Sequence, residues 1–413
     1  MTRVKTSVGA VARGGPEVQL LLCCACSRRD PERSARIEAL LQARIDWEYL
    51  LRTARRHGIM PLLYWQLSSI SSASIPTSIL DELGSRFRDN TVHNLSLTRE
   101  LLSLLHQFDT CGIPAIPYKG PVLASLAYGN LALRQFGDLD ILVRRQDVLM
   151  ARELLASFGY RPAYRLTHAQ EAAYIRYGDQ YPYIRDHDGT IVEIHWGFAS
   201  RAFSFLLNTE HQWWHLERVP VGGSTVSTFS PEDLLLILCV HGSMHRWERL
   251  LWVCDIAELT NLREKLDWGQ LMERAAALGC RRALFLGLSL AQELLGIAIP
   301  KEVARKLQAD PVTRTLVREV SESLWHEAAD SQRLDEDGSF QLFHIKVLER
   351  LRDKLRYCFR QATVPSWEDC ELMPLPAPLF PAYHLLRPIR LTGKYGQRLL
   401  NTRRSDRNRS TAL

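Results

Sequence analysis

The sequence predicts an α+β protein, with a small mixed β-sheet core set between an N-terminal helical region and a C-terminal helical domain. Two observations carry this. Apolar residues recur at helical spacing on either side of a middle block, where strand-like and helix-like runs alternate between about residues 113 and 200. Within that block, acidic residues stand in otherwise apolar strands: Asp138 and Asp140 in `GDLDILV`, and Glu193 in `TIVEIHW`.

The N-terminal part reads as a series of helices. `SARIEALLQARIDWEYLLRTARRHGIMPLLYWQLSSI` has helical periodicity with a stop at Gly58 and a restart at Pro61. `ILDELGSRFRDNTVHNLSLTRELLSLLHQFDTCGI` reads as one long amphipathic helix ending near Gly112. In the middle block, `IPAIPYKG` is a strand, `PVLASLAYG` a short helix, `GDLDILV` a strand and `QDVLMARELLASFGY` a helix. `YPYIRDHDGTIVEIHW` is a hairpin turning at Asp188-Gly189.

After residue 229 the pattern is helical again. Ser230 is the N-cap of `SPEDLLLILCVHGSMHR`, with Pro231 at the first helical position and Glu232 and Asp233 in the first turn. The segments 45–67 and 266–288 echo one another at a constant offset of 221, matching Asp46-Trp47, Leu50, Ala54 and Gly58 to Asp267-Trp268, Leu271, Ala275 and Gly279. Helix capping and packing explain each match, so the echo is read as a repeated helical hairpin. The expected division is residues 1–112 N-terminal helical region, 113–228 α/β core, 229–362 C-terminal helical domain, and 363–413 Pro-rich linker and basic tail.

Composition narrows the function classes. The net charge is +6, yet from Arg387 onward eight Lys/Arg face one acid, Asp406, so that segment alone holds +7 and the rest of the chain −1. A near-neutral body gives little footprint for a nucleic-acid backbone, and nucleic acid is not expected as a partner. The richest apolar run, `ALFLGLSLAQELLGIAI`, is broken by Gln292 and Glu293, so no membrane span is expected. Nine scattered cysteines read as reduced thiols of a cytoplasmic protein, with Cys23, Cys24 and Cys26 as buried helix thiols.

The acids point to chemistry. Asp138 and Asp140, two apart on a strand, point the same way and repel unless a positive group lies between them. Glu193 and His195 share one strand face, so three carboxylates on neighbouring strands suit a divalent cation with oxygen ligands. The bland alternative is structural ion pairing with Lys119, Arg134 or Arg144. The Lys119-Gly120 turn opens a helix at Pro121, a place where a phosphate can approach backbone, although Pro121 removes one donor.

`PYKGPVLASLAYGNLALRQFGDLDILV` followed by `VEIHW` resembles the nucleotidyltransferase superfamily with the polymerase-beta-like core, and within it the uncharacterised nucleotidyltransferases. The shared pattern is a Lys-Gly turn, an Arg, Asp-x-Asp, and an acid followed by x-His-Trp. Here these are Lys119, Gly120, Arg134, Asp138, Asp140, Glu193, His195 and Trp196. The helical region from Phe229, with its His-Gly and Trp-x-x-Asp, looks similar too, and the likeness spans most of residues 40 to 300. Two departures from the wider superfamily are a Gly-Pro phosphate turn, where Gly-Ser or Gly-Gly is usual, and Glu193 as third acid, where many relatives have Asp.

The resemblance implies an enzyme that transfers a nucleoside monophosphate from an NTP, with ATP the expected one, to a small molecule, peptide or protein. By it, Asp138 and Asp140 hold two Mg²⁺ ions, and Glu193 completes the acceptor-side ion and helps deprotonate the acceptor. Lys119 and Gly120 contact the β- and γ-phosphates, Arg134 offsets charge on the leaving pyrophosphate, and His195 orients Glu193 or touches the acceptor. The alternative function is a nucleotide-sensing or scaffold protein that keeps the fold without turnover.

Overall fold

The computed structural model describes residues 14–71, 73–164, 166–198, 213, 216–262, 266–326, 339–364, 369, 373, 375, 379 and 382–391. The basic tail beyond Leu391 and most of the Pro-rich stretch lie outside these residues.

The sheet has five strands in the order β1-β2-β5-β4-β3. These are β1 (Ala115–Pro117), β2 (Asp138–Val143), β3 (Tyr160–Pro162), β4 (Gln180–Arg185) and β5 (Ile191–His195). Only β2 and β5 run parallel; the other neighbours are antiparallel. A separate two-stranded hairpin joins β6 (Leu216–Val221) to β7 (Ser224–Phe229). The sheet is therefore mixed, as the sequence predicts. The hairpin turn falls at Gly189, whose φ of 73° is open to glycine at no steric cost. Sequence reading missed β3, the β6–β7 hairpin and the His168–Tyr177 helix, which carries a Thr167–Gln170 capping box.

Alternation along the strands gives the sheet two different faces. Leu139, Ile141, Val143, Val192 and Ile194 point into one apolar core. There they meet the long Thr77–Thr110 helix through Leu97, Leu101, Leu104 and Phe108, and the Val148–Ser157 helix through Val148, Ala151 and Leu155. The opposite face carries Asp138, Asp140, Glu193 and His195, with Leu142 and Ile116 joining a second, larger core. That core is shared by N-terminal helices and the helices after residue 230.

The predicted helical hairpins form. Asp46 and Asp267 cap Trp47–Arg56 and Trp268–Leu278 through Tyr49 N–H and Gln270 N–H, and Gly58 and Gly279 take the left-handed conformation at φ 72° and 74°. Leu50, Ala54, Leu271 and Ala275 are all fully buried, so the echo is packing. Ser230 caps Pro231–Met244 as expected, accepting from Asp233 N–H. Eight cysteines are free among the described residues, and Cys23, Cys24 and Cys26 are buried. No helix among the described residues is long and apolar enough to cross a membrane.

His57 joins the N-terminal helices to the later bundle. Its Nδ1 accepts from Leu250 N–H at 3.2 Å and its carbonyl accepts from Leu251 N–H at 3.1 Å. Burial, with Arg56 adding to it, lowers the His57 pKa to about 3; burial likewise lowers His344 to about 4. Both fold neutral, so their contribution is complete above the unfolded value near 6.5 and is lost as pH falls toward the folded values. Between pH 6.5 and 5 each should cost about 2 kcal/mol of stability. Urea unfolding at pH 7 and pH 5 measures the loss, and His57→Gln should reduce it by the His57 share of about 2 kcal/mol.

Candidate active site

The site begins with register. In the parallel β2–β5 pair, Asp138 lies beside Ile191, Asp140 beside Glu193 and Leu142 beside His195. One sheet face thus presents the row Asp138, Asp140, Glu193, His195. From the far side, β4 adds Gln180, whose Nε2 donates to Glu193 Oε2 at 3.2 Å.

The positive group demanded by the paired aspartates is Lys119. Its Nζ donates to Asp140 Oδ1 at 2.8 Å, with the lysine side chain 12% exposed and the aspartate 3%. Gly120 makes the placement possible. Its φ is +50°, and a Cβ there would stand 3.3 Å from the Asp138 carbonyl oxygen, so the turn runs directly against the start of β2. His195 Nε2 lies 3.2 Å from Asp140 Oδ1 and 3.4 Å from Glu193 Oε2. Tyr118 packs edge-on against the His195 ring at 5.4 Å, and Phe198 and Phe229 hold Tyr118 in turn.

These neighbours divide the acids. Burial raises Asp138 to about 6, and the charges of Asp140 and Glu193 push the same way. Burial opposes ionisation of Asp140 also, but Lys119 and His195 overcome it and hold that carboxyl well below the usual range. For His195, burial disfavours the charged ring, while the Asp140 and Glu193 carboxylates raise it to about 9. Asp179, which sequence reading missed, joins the group: burial lifts it to about 6 despite His195 nearby, and its carbonyl accepts from Trp196 N–H at 2.8 Å. The signal for it was `GDQ` immediately before the strand that pairs with Glu193.

Arg134 is built in differently. It is 5% exposed and donates Nε and Nη2 to the two oxygens of Asp255 at 2.8 and 2.9 Å, while Tyr128 O–H donates to Asp255 Oδ1 at 2.7 Å. Asn94, on the long helix, fixes the approach by donating to the carbonyls of Leu131 and Arg134. The guanidinium still lowers the Asp138 pKa, so its charge is felt in the site.

A wall of rings rises from the later helices. His241 and His245 lie 4.7 Å apart by ring centroid, with Trp252 at 5.3 and 5.5 Å from them. Burial depresses both imidazoles, and Lys119 depresses them further. Trp196 and Trp247 are core residues at 5% and 0% exposure.

The donors suit a divalent cation. Ligand atoms of Asp140, Glu193 and His195 all lie within 4.8 Å of one another, and Asp138 stands one pleat along the same face. A family model for an uncharacterised nucleotidyltransferase matches residues 43–296 of this chain, well over half its length. The chain belongs to that family and is a nucleotidyltransferase. No curated protein matches it.

Two outcomes follow from these charges. With Asp138 raised to about 6 from an ordinary 3.8, the metal-free fold loses stability as pH rises through that window. Asp138→Asn should raise the metal-free melting point at pH 7.5 by the equivalent of about 2–3 kcal/mol. The gain should vanish near pH 3.5, where both forms are neutral; calorimetry at the two pH values measures it. Asp255→Asn strands the Arg134 charge in the interior and should cost about 3–5 kcal/mol in chemical denaturation.

Proposed function

We propose that this enzyme transfers a nucleoside monophosphate from an NTP, with ATP the expected donor, to a hydroxyl on a small molecule, peptide or protein, releasing pyrophosphate. The observation that carries this reading is the gathering of Asp138, Asp140 and Glu193 on one sheet face beside the Lys119-Gly120 turn. In the reaction the acceptor oxygen bonds to the α-phosphorus, the bridge to the β-phosphate breaks, and its electron pair leaves with pyrophosphate.

Asp138, Asp140 and Glu193 would hold two Mg²⁺ ions, which when bound neutralise the triphosphate and lower the pKa of the attacking hydroxyl. The remaining work belongs to the chain itself. Lys119 turns from Asp140 toward a phosphate oxygen, and Gly120 lets the phosphate come close to backbone. Glu193 Oε2 is already engaged by Gln180, which leaves Oε1 to accept the acceptor's proton. Arg134, held by Asp255, supplies positive charge from behind the aspartates rather than as a mobile clamp. The His241–His245–Trp252 rings lie close enough to Lys119 for its charge to reach both imidazoles, where they would help keep water from the phosphates.

The test is nucleotide-dependent stabilisation with Mg²⁺ across the common NTPs, followed by pyrophosphate release with candidate acceptors. A nucleotide at about a hundred times its Kd should stabilise the wild type by about 2.7 kcal/mol. Asp138→Ala/Asp140→Ala should abolish the shift and reduce pyrophosphate release at least about a hundredfold. A shift untouched by the double substitution would place the nucleotide elsewhere and defeat the reading.

A further inference from the structure

We infer that His195 is a metal ligand, and that the ion it shares with Asp140 and Glu193 is a first-row divalent transition metal, distinct from an oxygen-only Mg²⁺ position at Asp138 and Asp140. This rests on the reading of the acidic face as a divalent-metal site, and goes further by assigning an imidazole ligand and a choice of ion.

Three observations carry it. His195 is 3% exposed, yet its Nε2 makes no hydrogen bond. The two carboxylate oxygens at 3.2 and 3.4 Å are short contacts that do not lie along a ring N–H. A metal ion between the groups would take the place of the ring proton and exchange this poorly directed ion pair for coordination.

Second, the ring has little freedom to turn elsewhere. Tyr118 lies edge-on against it, and the backbone that follows is pinned by Asp179 O to Trp196 N–H and Gly197 N–H at 2.8 and 3.2 Å. Nε2 is thus aimed at the carboxylates by packing.

Third, the three side chains come from one sheet face. Asp140 and Glu193 are paired residues on parallel strands, and His195 is two positions along from Glu193. Their donor atoms sit within 4.8 Å of one another, close enough to cap one side of a single ion and leave the other side to substrate oxygens and water.

Ligand chemistry then selects the ion. Mg²⁺ takes oxygen ligands and keeps much of its water, whereas imidazole with carboxylates suits the first-row divalent metals. Asp138 lies on the other side of Asp140 from His195 along this face. The row therefore separates into an oxygen-only position and a mixed nitrogen–oxygen position sharing Asp140.

Mn²⁺ itself is the probe, added to the full-length protein without nucleotide, with electron spin-echo modulation as the readout. The wild type should show the ¹⁴N coupling of a directly bound imidazole. The coupling should change to that of ¹⁵N in protein grown with ¹⁵N-histidine, an arm that needs no variant. His195→Gln should lose it, while His241→Gln should keep it. Mg²⁺ should displace bound Mn²⁺ from His195→Gln at about tenfold lower concentration than from the wild type. Bound Mn²⁺ without nitrogen coupling, or coupling that survives His195→Gln, overturns the assignment and leaves the carboxylate metal site standing. No bound Mn²⁺ at all overturns the assignment together with the metal site beneath it.

Discussion

The constraint on which the site depends is the parallel register of β2 on β5. It sets Asp140 beside Glu193 and so concentrates negative charge where an apolar strand pair would otherwise be content. Slipping that pairing by one residue would turn every acid into the Leu139–Ile141–Ile194 core and expose the apolar set. The apolar face on the long Thr77–Thr110 helix therefore fixes the chemistry on the other face. Lys119 then balances the charge locally, and Gly120 lets its turn lie against the first residue of β2.

A second layer of organisation links the sheet to the helices that follow it. Arg134 and Asp255 form a buried, bidentate pair with Tyr128 as third member, joining the approach to β2 with the Leu250–Thr260 helix. Such a pair contributes more to geometry than to net stability, because both ions give up water to form it. Asn94 completes the arrangement by satisfying two carbonyls of the same approach loop. Position of the aspartates is thus referenced to the long helix on one side and to the C-terminal bundle on the other.

Much of this was legible in the sequence. The alternation in `GDLDILV` and `TIVEIHW`, the Asp188-Gly189 turn and the Ser230-Pro231 cap all report local physics, and each element formed where its pattern lies. The Lys119 partner to the aspartates was among the few cations close in sequence. What stayed hidden depends on distant pairing. Asp179 gains its importance only because β4 lies beside β5, and Arg134 turns to Asp255, more than a hundred residues away, rather than to the nearer acids. The β6–β7 hairpin, `LERVPV` and `STVSTF`, alternates weakly and carries Pro220, which blurred its strand signal.

Trp247 has a wider meaning for how this chain can change. Its ring is fully buried, and a Cβ added at Gly242 or Gly287 would stand 2.8 or 3.0 Å from it, so the indole is keyed between two glycines on two helices. Arg246 and Trp247 both adopt positive φ, at 52° and 56°, to bring the ring in. Enlarging Gly242 therefore demands a smaller side chain at 247, while enlarging Gly287 demands room from Cys239 Sγ, 2.5 Å from the added Cβ, as well as from the indole. The segment that bears His245 and Arg249 is anchored in the bundle interior, and any motion of the Pro231–Met244 helix against the sheet would carry those side chains with it as one piece.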